Sequence, residues 1–238
     1  MKEYEVYSSL KVPRNSKIIV RLDGRSFHKL AKDLRLVKPY DENFYKVMAN
    51  VCEDLFKEFS PALVYTFSDE ISLLLGNVPF DGRIEKINSV MASFTASSFV
   101  MNYDVDFKKP PAFDCRVIPV SDEDILKYFR WRQGESWKNC ISSHGISFLK
   151  SKYPNNEAND KINGLNASEI HELLYQNGIN LNDVETYKKR GIAVYRKNRK
   201  VEGFNKKENK NQVSYRSYVY IDWEVPKFNK EFFENLIW

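Results

Sequence analysis

Ile18-Ile19-Val20-Arg21-Leu22-Asp23-Gly24-Arg25-Ser26-Phe27 begins as an apolar run and breaks off in Asp-Gly-Arg-Ser. The run reads as a buried strand, and its end sets the Asp23 carboxylate at a strand terminus with a glycine behind it. Glycine lets the main chain turn and lets a ligand come close. The polar residues after it open a helix or turn whose free N–H groups suit a polyphosphate. A second acidic point follows the next strand-like run: Leu63-Val64-Tyr65-Thr66-Phe67 leads into Ser68-Asp69-Glu70, after which Ile71-Ser72-Leu73-Leu74-Leu75 resumes the strand pattern. This is the pattern of a hairpin with acids at its bend. An Asp-Gly pair alone is most often a turn; two acid-bearing strand ends side by side in one sheet would hold a pair of divalent cations for nucleotide chemistry.

The elements around these strands fix the fold class. Asp41 is placed as the N-cap of a helix to Phe59, with Phe44, Val47, Met48, Val51, Leu55 and Phe59 at three- and four-residue steps on one face. Pro61 ends it. A second long helix is predicted over Arg83–Tyr103, with Ile84, Ile87, Met91 and Phe94 as its stripe and Ser89, Ala92, Ser93, Ala96 and Ser97 allowing close approach to the sheet. Ala112–Val120 reads as a further strand. The order strand, helix, strand, strand, helix, strand is the split unit of ferredoxin-like domains, an α+β antiparallel sheet with helices packed on it. Polymerase palms and RNA-recognition modules share it, so the topology leaves function open.

Beyond Val120 the pattern predicts a helix through Arg132, a second from Glu135 to Lys150, an exposed loop from Tyr153 to Gly164, and a helix opened by the capping box Asn166-Ala167-Ser168-Glu169 and closed by Gly178. Gly191–Tyr195 and Ser217–Asp222 read as paired strands. Between them lie Arg196, Lys197, Arg199, Lys200, Lys206, Lys207 and Lys210 against Glu202 and Glu208, a basic ribbon suited to a phosphate backbone or else a solvated hairpin. The expected organisation is a palm-like domain over 1–133 and a helical and hairpin extension over 134–238, packed together as one unit.

Composition bounds the rest. The 238 residues, 42% apolar and 14% aromatic, can bury a substantial core. No apolar run approaches the length needed to cross a bilayer, and Met1–Glu5 lacks the apolar centre of a signal peptide, so the expected compartment is the cytoplasm, with no membrane partner. Cys52, Cys115 and Cys140 are far apart and have no zinc-site spacing, which points to reduced thiols. No constellation supports a cysteine or serine nucleophile. A net charge of +5 allows a polyanionic partner. His28 is expected to touch phosphate or base; His144 and His171 are expected to be structural or exposed, and Trp131, Trp137 and Trp223 to be core.

Five words occur in order along the first two hundred residues: Arg21-Leu22-Asp23-Gly24-Arg25-Ser26-Phe27-His28, Lys38-Pro39-Tyr40-Asp41, Phe67-Ser68-Asp69-Glu70, Phe113-Asp114-Cys115-Arg116 and Tyr128-Phe129-Arg130-Trp131-Arg132-Gln133. Together they resemble the tRNA(His) guanylyltransferase family, Thg1, and its Thg1-like relatives. The resemblance implies a reverse polymerase that adds nucleotides to the 5′ end of tRNA, with two Mg2+ ions as cofactors, ATP and GTP as substrates, and a homotetramer built as a dimer of dimers. It implies metal ligands at Asp23, the Gly24 carbonyl and Asp69, and a further catalytic acid at Glu70. It implies nucleotide contacts from Gly24, Arg25, Ser26, Phe27, His28 and Ser68, with Lys38 and Asp41 near the activating nucleotide and Arg83 and Lys86 on the triphosphate. Such chemistry rests on positioning and charge neutralisation, in accord with a site of strand-end acids and no nucleophile.

One departure bears on the branch. After Arg132-Gln133 the eukaryotic guanylyltransferases carry His-Ile-Asn-Asn-Leu-Tyr-Asn, where this chain has Trp137-Lys138-Asn139-Cys140-Ile141-Ser142-Ser143. That is similar to the Thg1-like branch, which implies template-directed repair of 5′-truncated tRNA in place of strict tRNA(His) selection. Two other readings share the topology: a non-catalytic RRM-like RNA-binding module, against which the strand-end acids argue because they repel phosphate, and a nucleotide cyclase, which would not need the basic ribbon.

Overall fold

A computed structural model describes residues 1–205 and 210–237. Its centre is one six-stranded antiparallel sheet in the order β4-β1-β3-β2-β5-β6. The strands are β1 (Lys17–Gly24), β2 (Leu63–Phe67), β3 (Glu70–Leu75), β4 (Phe113–Val120), β5 (Ile192–Asn205) and β6 (Lys210–Asp222). Strand alternation divides β1 between two cores. Helix α1 (Phe27–Asp33) follows β1; Ile18, Val20 and Leu22 face helices α2 (Glu42–Phe59) and α3 (Ile84–Asn102), while Ile19 faces the opposite side with Leu74, Tyr65, Phe129 and Phe228. Arg21 and Asp23 point to that second side.

Asp41 caps α2, its Oδ1 accepting from the Phe44 N–H at 2.9 Å, as the sequence predicts. The small residues of α3 divide: Ala92 and Ala96 pack partly buried on the core as expected, and the serines named with them do not. Ser89, Ser93 and Ser97 are exposed, and the buried ones are Thr95 and Ser98. Ser98 and Asn102 both donate to Asp54 Oδ2 of α2, at 2.7 and 2.8 Å, so the two helices are joined by a polar clasp.

Two corrections follow Val120. The two predicted helices are one, α4 (Asp122–Lys152), which passes through Gly134 unbroken and spans the 133/134 position. A helical glycine costs only about 1 kcal/mol relative to alanine, and burial of Ile125, Phe129, Cys140, Ile141 and Leu149 along α4 outweighs it. The expected loop from Tyr153 to Gly164 is helix α5 (Asn155–Asn163), held by Ala158, fully buried, and Ile162, which packs on the small core of Ile141, Ile170, Leu174 and Leu181. The capping box forms as read and opens α6 (Ala167–Gln176), and Gly178 follows at φ 80°. A short α7 (Thr186–Arg190) returns the chain to the sheet, where β5 joins the edge of β2. A second short helix, α8 (Lys230–Glu234), closes the chain against the second core.

Among the described residues no helix is long and apolar enough to cross a membrane. The three cysteines are free thiols. Trp137 and Trp223 are partly buried against the cores, but Trp131 is 51% exposed, with the Arg132 guanidinium 4.4 Å from its ring.

Candidate active site

The register of β1, β3 and β4 brings the acids together. Asp23 stands opposite Glu70 on one side and Asp114 on the other, and Gly24 opposite Phe113. The bend between β2 and β3 is Ser68-Asp69, and the Gly24 N–H donates to the Asp69 carbonyl at 3.1 Å, which ties the two acidic strand ends to each other. Gly24 has no room for a side chain: a Cβ there would lie 2.4 Å from the Phe27 ring. Ser26 and Ser68 both hold left-handed backbone, at φ 58° and 51°, a conformation that L-residues adopt at a cost. The tight turn, the close-packed Phe27 and the two strained serines converge on the strand ends that carry the acids.

The acids have unequal surroundings. The Asp69 carboxyl is held above its ordinary value, first by burial and then by the neighbouring Asp23, against the Ser68 hydroxyl, which donates to Oδ1 at 3.0 Å, and the Lys38 ammonium. Glu70 is buried and lies between two guanidiniums: Arg21 Nη2 at 2.7 Å and Arg132 Nη2 at 2.5 Å, both on Oε2. Burial raises its carboxyl too, and the two arginines oppose that. Arg21 also reaches Asp23 Oδ2 at 3.0 Å, so one guanidinium bridges the two strands' acids. Glu70 is therefore tied into a buried ion-pair network, while Asp69 turns toward the cavity.

That cavity has a volume of about 380 Å³, and Gly24, Ser26, Phe27, His28, Lys38, Asp41, Ser68 and Asp69 line it together. Asp41 contributes shape more than charge: Oδ1 caps α2 and Oδ2 accepts from the Val37 N–H at 3.0 Å. Arg25 is exposed and is not among the lining residues. Arg83 and Lys86 lie elsewhere. Arg83 pairs with Lys11 and precedes α3, at the end of the sheet where Ile18 meets Leu75, so the eight residues of β1, roughly 25 Å, separate that end from Gly24.

Sequence reading missed four contributors. Arg21 is two residues before Asp23, and strand alternation places both on one face, a signal that was available. Arg132 belongs to a quoted word but reveals its partner, Glu70, only in three dimensions. Asn139 and Ser143 of α4 form the far wall of the cavity, one helical turn apart, within the segment that departs from His-Ile-Asn-Asn-Leu-Tyr-Asn. The three histidines divide as expected in part: His28 lines the cavity, His144 is half-buried with Nδ1 2.9 Å from the Cys140 carbonyl, and His171 packs on Trp137.

Of the basic ribbon, Lys206 and Lys207 lie outside the described residues. Arg196, Lys197, Arg199, Lys200 and Lys210 lie on β5 and β6, which run as a two-stranded ribbon beyond the end of the sheet opposite the acids.

A donor set of two carboxylates and a main-chain carbonyl suits a hard divalent cation that fills its shell from phosphate and water. Among the described residues no three His, Cys, Asp or Glu side chains form a closed metal cage. The raised Asp69 carboxyl beside Asp23 is the observation that fits: two acids share a partly buried space that a cation would make favourable.

Residues 1–121 match the family model described as tRNAHis guanylyltransferase, Thg1. A probable tRNA(His) guanylyltransferase of Dictyostelium discoideum is 30% identical, across 97% of this chain and 96% of that protein, and one of Drosophila melanogaster is 32% identical across 76% and 67%. A bacterial Thg1-like protein in complex with GTP superposes with a TM-score of 0.73 at 29% identity, over 99% of this chain and 94% of that one. The same kind of protein in complex with ATP gives 0.74 at 28%, over 95% and 91%. The chain belongs to the tRNA(His) guanylyltransferase (Thg1) family.

Proposed function

We propose that this protein extends the 5′ end of tRNA in the 3′-to-5′ direction, by a Mg2+-dependent transfer in which Asp23, the Gly24 carbonyl and Asp69 hold the metal ions. The observation that carries this reading is the tie between the two acidic strand ends, Gly24 N–H to Asp69 carbonyl, at the mouth of a cavity of nucleotide size. The bound metal would neutralise phosphate charge and lower the pKa of the attacking hydroxyl.

The protein's own residues supply position. The Gly24–His28 turn and Ser68 offer main-chain and side-chain donors to phosphates, Lys38 adds a cation, and the apolar wall of Leu34, Leu36 and Phe44 receives a base. A tRNA 5′-monophosphate is a poor electrophile, so its phosphate oxygen first bonds to the α-phosphorus of ATP and pyrophosphate leaves, unless a triphosphate is already present. The 3′-hydroxyl oxygen of GTP then bonds to the 5′ phosphorus, and the bond to AMP or pyrophosphate breaks. Glu70 acts as a positioning residue: held by Arg132, it fixes Arg21, which in turn orients Asp23.

Template-directed repair is favoured over strict addition to tRNA(His), on the ground that Asn139 and Ser143 stand in the cavity wall where the eukaryotic enzymes carry a different word. Arg83 and Lys86, some 25 Å along the sheet from the acids, would reach a triphosphate in a neighbouring copy, which favours assembly as a dimer of dimers. A bare RNA-recognition module is disfavoured, because the sheet face such modules use is covered here: Tyr65 and Phe67 are buried against Phe129, Phe228 and the Arg132 guanidinium.

The test is incorporation of labelled GTP into two 5′-monophosphorylated tRNAs, with Mg2+ and ATP. One is tRNA(His) lacking its first G with A opposite the vacant position; the other is a truncated tRNA whose vacant position faces C. Addition opposite C alone is expected. Addition to both would restore the guanylyltransferase reading, and addition to neither would overturn the assignment.

A further inference from the structure

The β5–β6 ribbon has two unlike faces. Strand alternation puts Lys197 and Arg199 on one, opposite Tyr218 and Arg216, with the Tyr195–Tyr220 pair at its base. Continuing the register through β2, β3 and β1, this is the sheet face that bears Phe67, Glu70 and Asp23. The other face carries Arg196 and Lys200, whose charges are engaged within the protein. The Arg196 guanidinium lies 5.4 Å from the Phe56 ring, and Lys200 pairs with Glu202 at 2.7 Å.

The first face is uniformly cationic. From the Tyr195–Tyr220 row to the Val201–Ser214 row it holds no carboxylate. The next carboxylate along this face of the ribbon, Asp222, is buried one row closer to the sheet and accepts from the Tyr195 hydroxyl at 2.7 Å. The Lys197 ammonium sits 3.5 Å from the Tyr220 centroid and 5.4 Å from that of Tyr195, and the Arg199 guanidinium 5.8 Å from that of Tyr218. A ring beside each cation restricts a long side chain that would otherwise lose entropy on binding.

We infer that this face grips the ribose-phosphate backbone of tRNA, with Lys197, Arg199 and Arg216 as phosphate contacts and Tyr218 and Tyr220 as their platforms. The inference rests on the proposed tRNA substrate. Ile192 of β5 is level with Leu22, one residue short of Asp23, and Arg199 is seven residues further along the strand. Arg199 therefore falls roughly 26 Å along the strands from the level of Asp23, on the body of an RNA and not on its terminal nucleotide.

The test is the affinity of the full chain for tRNA across a KCl series, with GTP binding measured in parallel as a check on folding. Combined Lys197→Ala, Arg199→Ala and Arg216→Ala should weaken binding about tenfold or more, and flatten the log–log salt slope by about two to three, with GTP binding unchanged. Each single alanine should flatten it by about one. The charge-retaining set Lys197→Arg, Arg199→Lys and Arg216→Lys should keep the wild-type slope, and Lys200→Ala should change nothing. A wild-type slope in the triple alanine variant, or an equal loss in the charge-retaining one, would overturn the grip while leaving 5′ addition by the wild type standing. A wild type that neither binds tRNA nor labels it would overturn both.

Discussion

At one end of the six-stranded sheet the acids are locked in place: Glu70 lies between two guanidiniums, Gly24 fits only as glycine, and Ser26 and Ser68 hold strained backbone. At the other end β5 and β6 run out from the sheet as a two-stranded ribbon, with Lys197, Arg199 and Arg216 on one face. Under the proposed function, the contrast separates two demands on a nucleotidyltransferase that acts on tRNA. Transfer of a phosphoryl group needs atoms placed to a fraction of an ångström, which only a packed and over-determined site provides. Holding a polyanion needs reach and charge, which an exposed ribbon supplies at little cost to the core.

The sharpest way to break this contrast is to alter the packed end. Asp69→Asn should lower nucleotide addition by about a thousandfold or more, because metal stabilisation of several kcal/mol is lost. Burial already disfavours its charge, so the variant's Tm should match or exceed the wild type. Arg132→Met leaves Glu70 buried with one guanidinium fewer and should cost ~3–5 kcal/mol of stability, measured by urea unfolding. Gly24→Ala forces the Phe27 ring aside and should cost about 1–3 kcal/mol, with a larger fall in addition than in stability. At the cavity wall, Asn139→Ala should raise KM for the nucleotide about fivefold with kcat little changed, the loss of one hydrogen bond of about 1 kcal/mol. At the ribbon, Lys200→Ala should alter stability by less than about 0.5 kcal/mol, since its ion pair is exposed.

The two ends also differ in how far they can be read from sequence. That two apolar strand runs end in acids is legible in the sequence, and the register of β1 on β3 makes those ends neighbours; the helix over Glu42–Phe59 follows from its cap and stripe. The ion-pair network was hidden, since Glu70 and Arg132 are 62 residues apart and no local pattern pairs them. The continuity of α4 was hidden as well: local propensity at Gly134 argues for a break, and only packing along the whole helix overrules it. Asn155–Asn163 looked like a loop because its polar residues dominate the composition, yet burial of Ala158 and packing of Ile162 suffice to fix a helix. For the ribbon the charges were plain, but their division between two faces required the register of β5 on β6.

The most direct test of the whole account is the position of label after incubation of 5′-monophosphorylated truncated tRNA with labelled GTP, ATP and Mg2+, for wild type and Asp69→Asn in parallel. Label is expected at the 5′ end with the wild type only, and none with either protein in excess EDTA. Label at the 5′ end with Asp69→Asn, or undiminished labelling in EDTA, would contradict it.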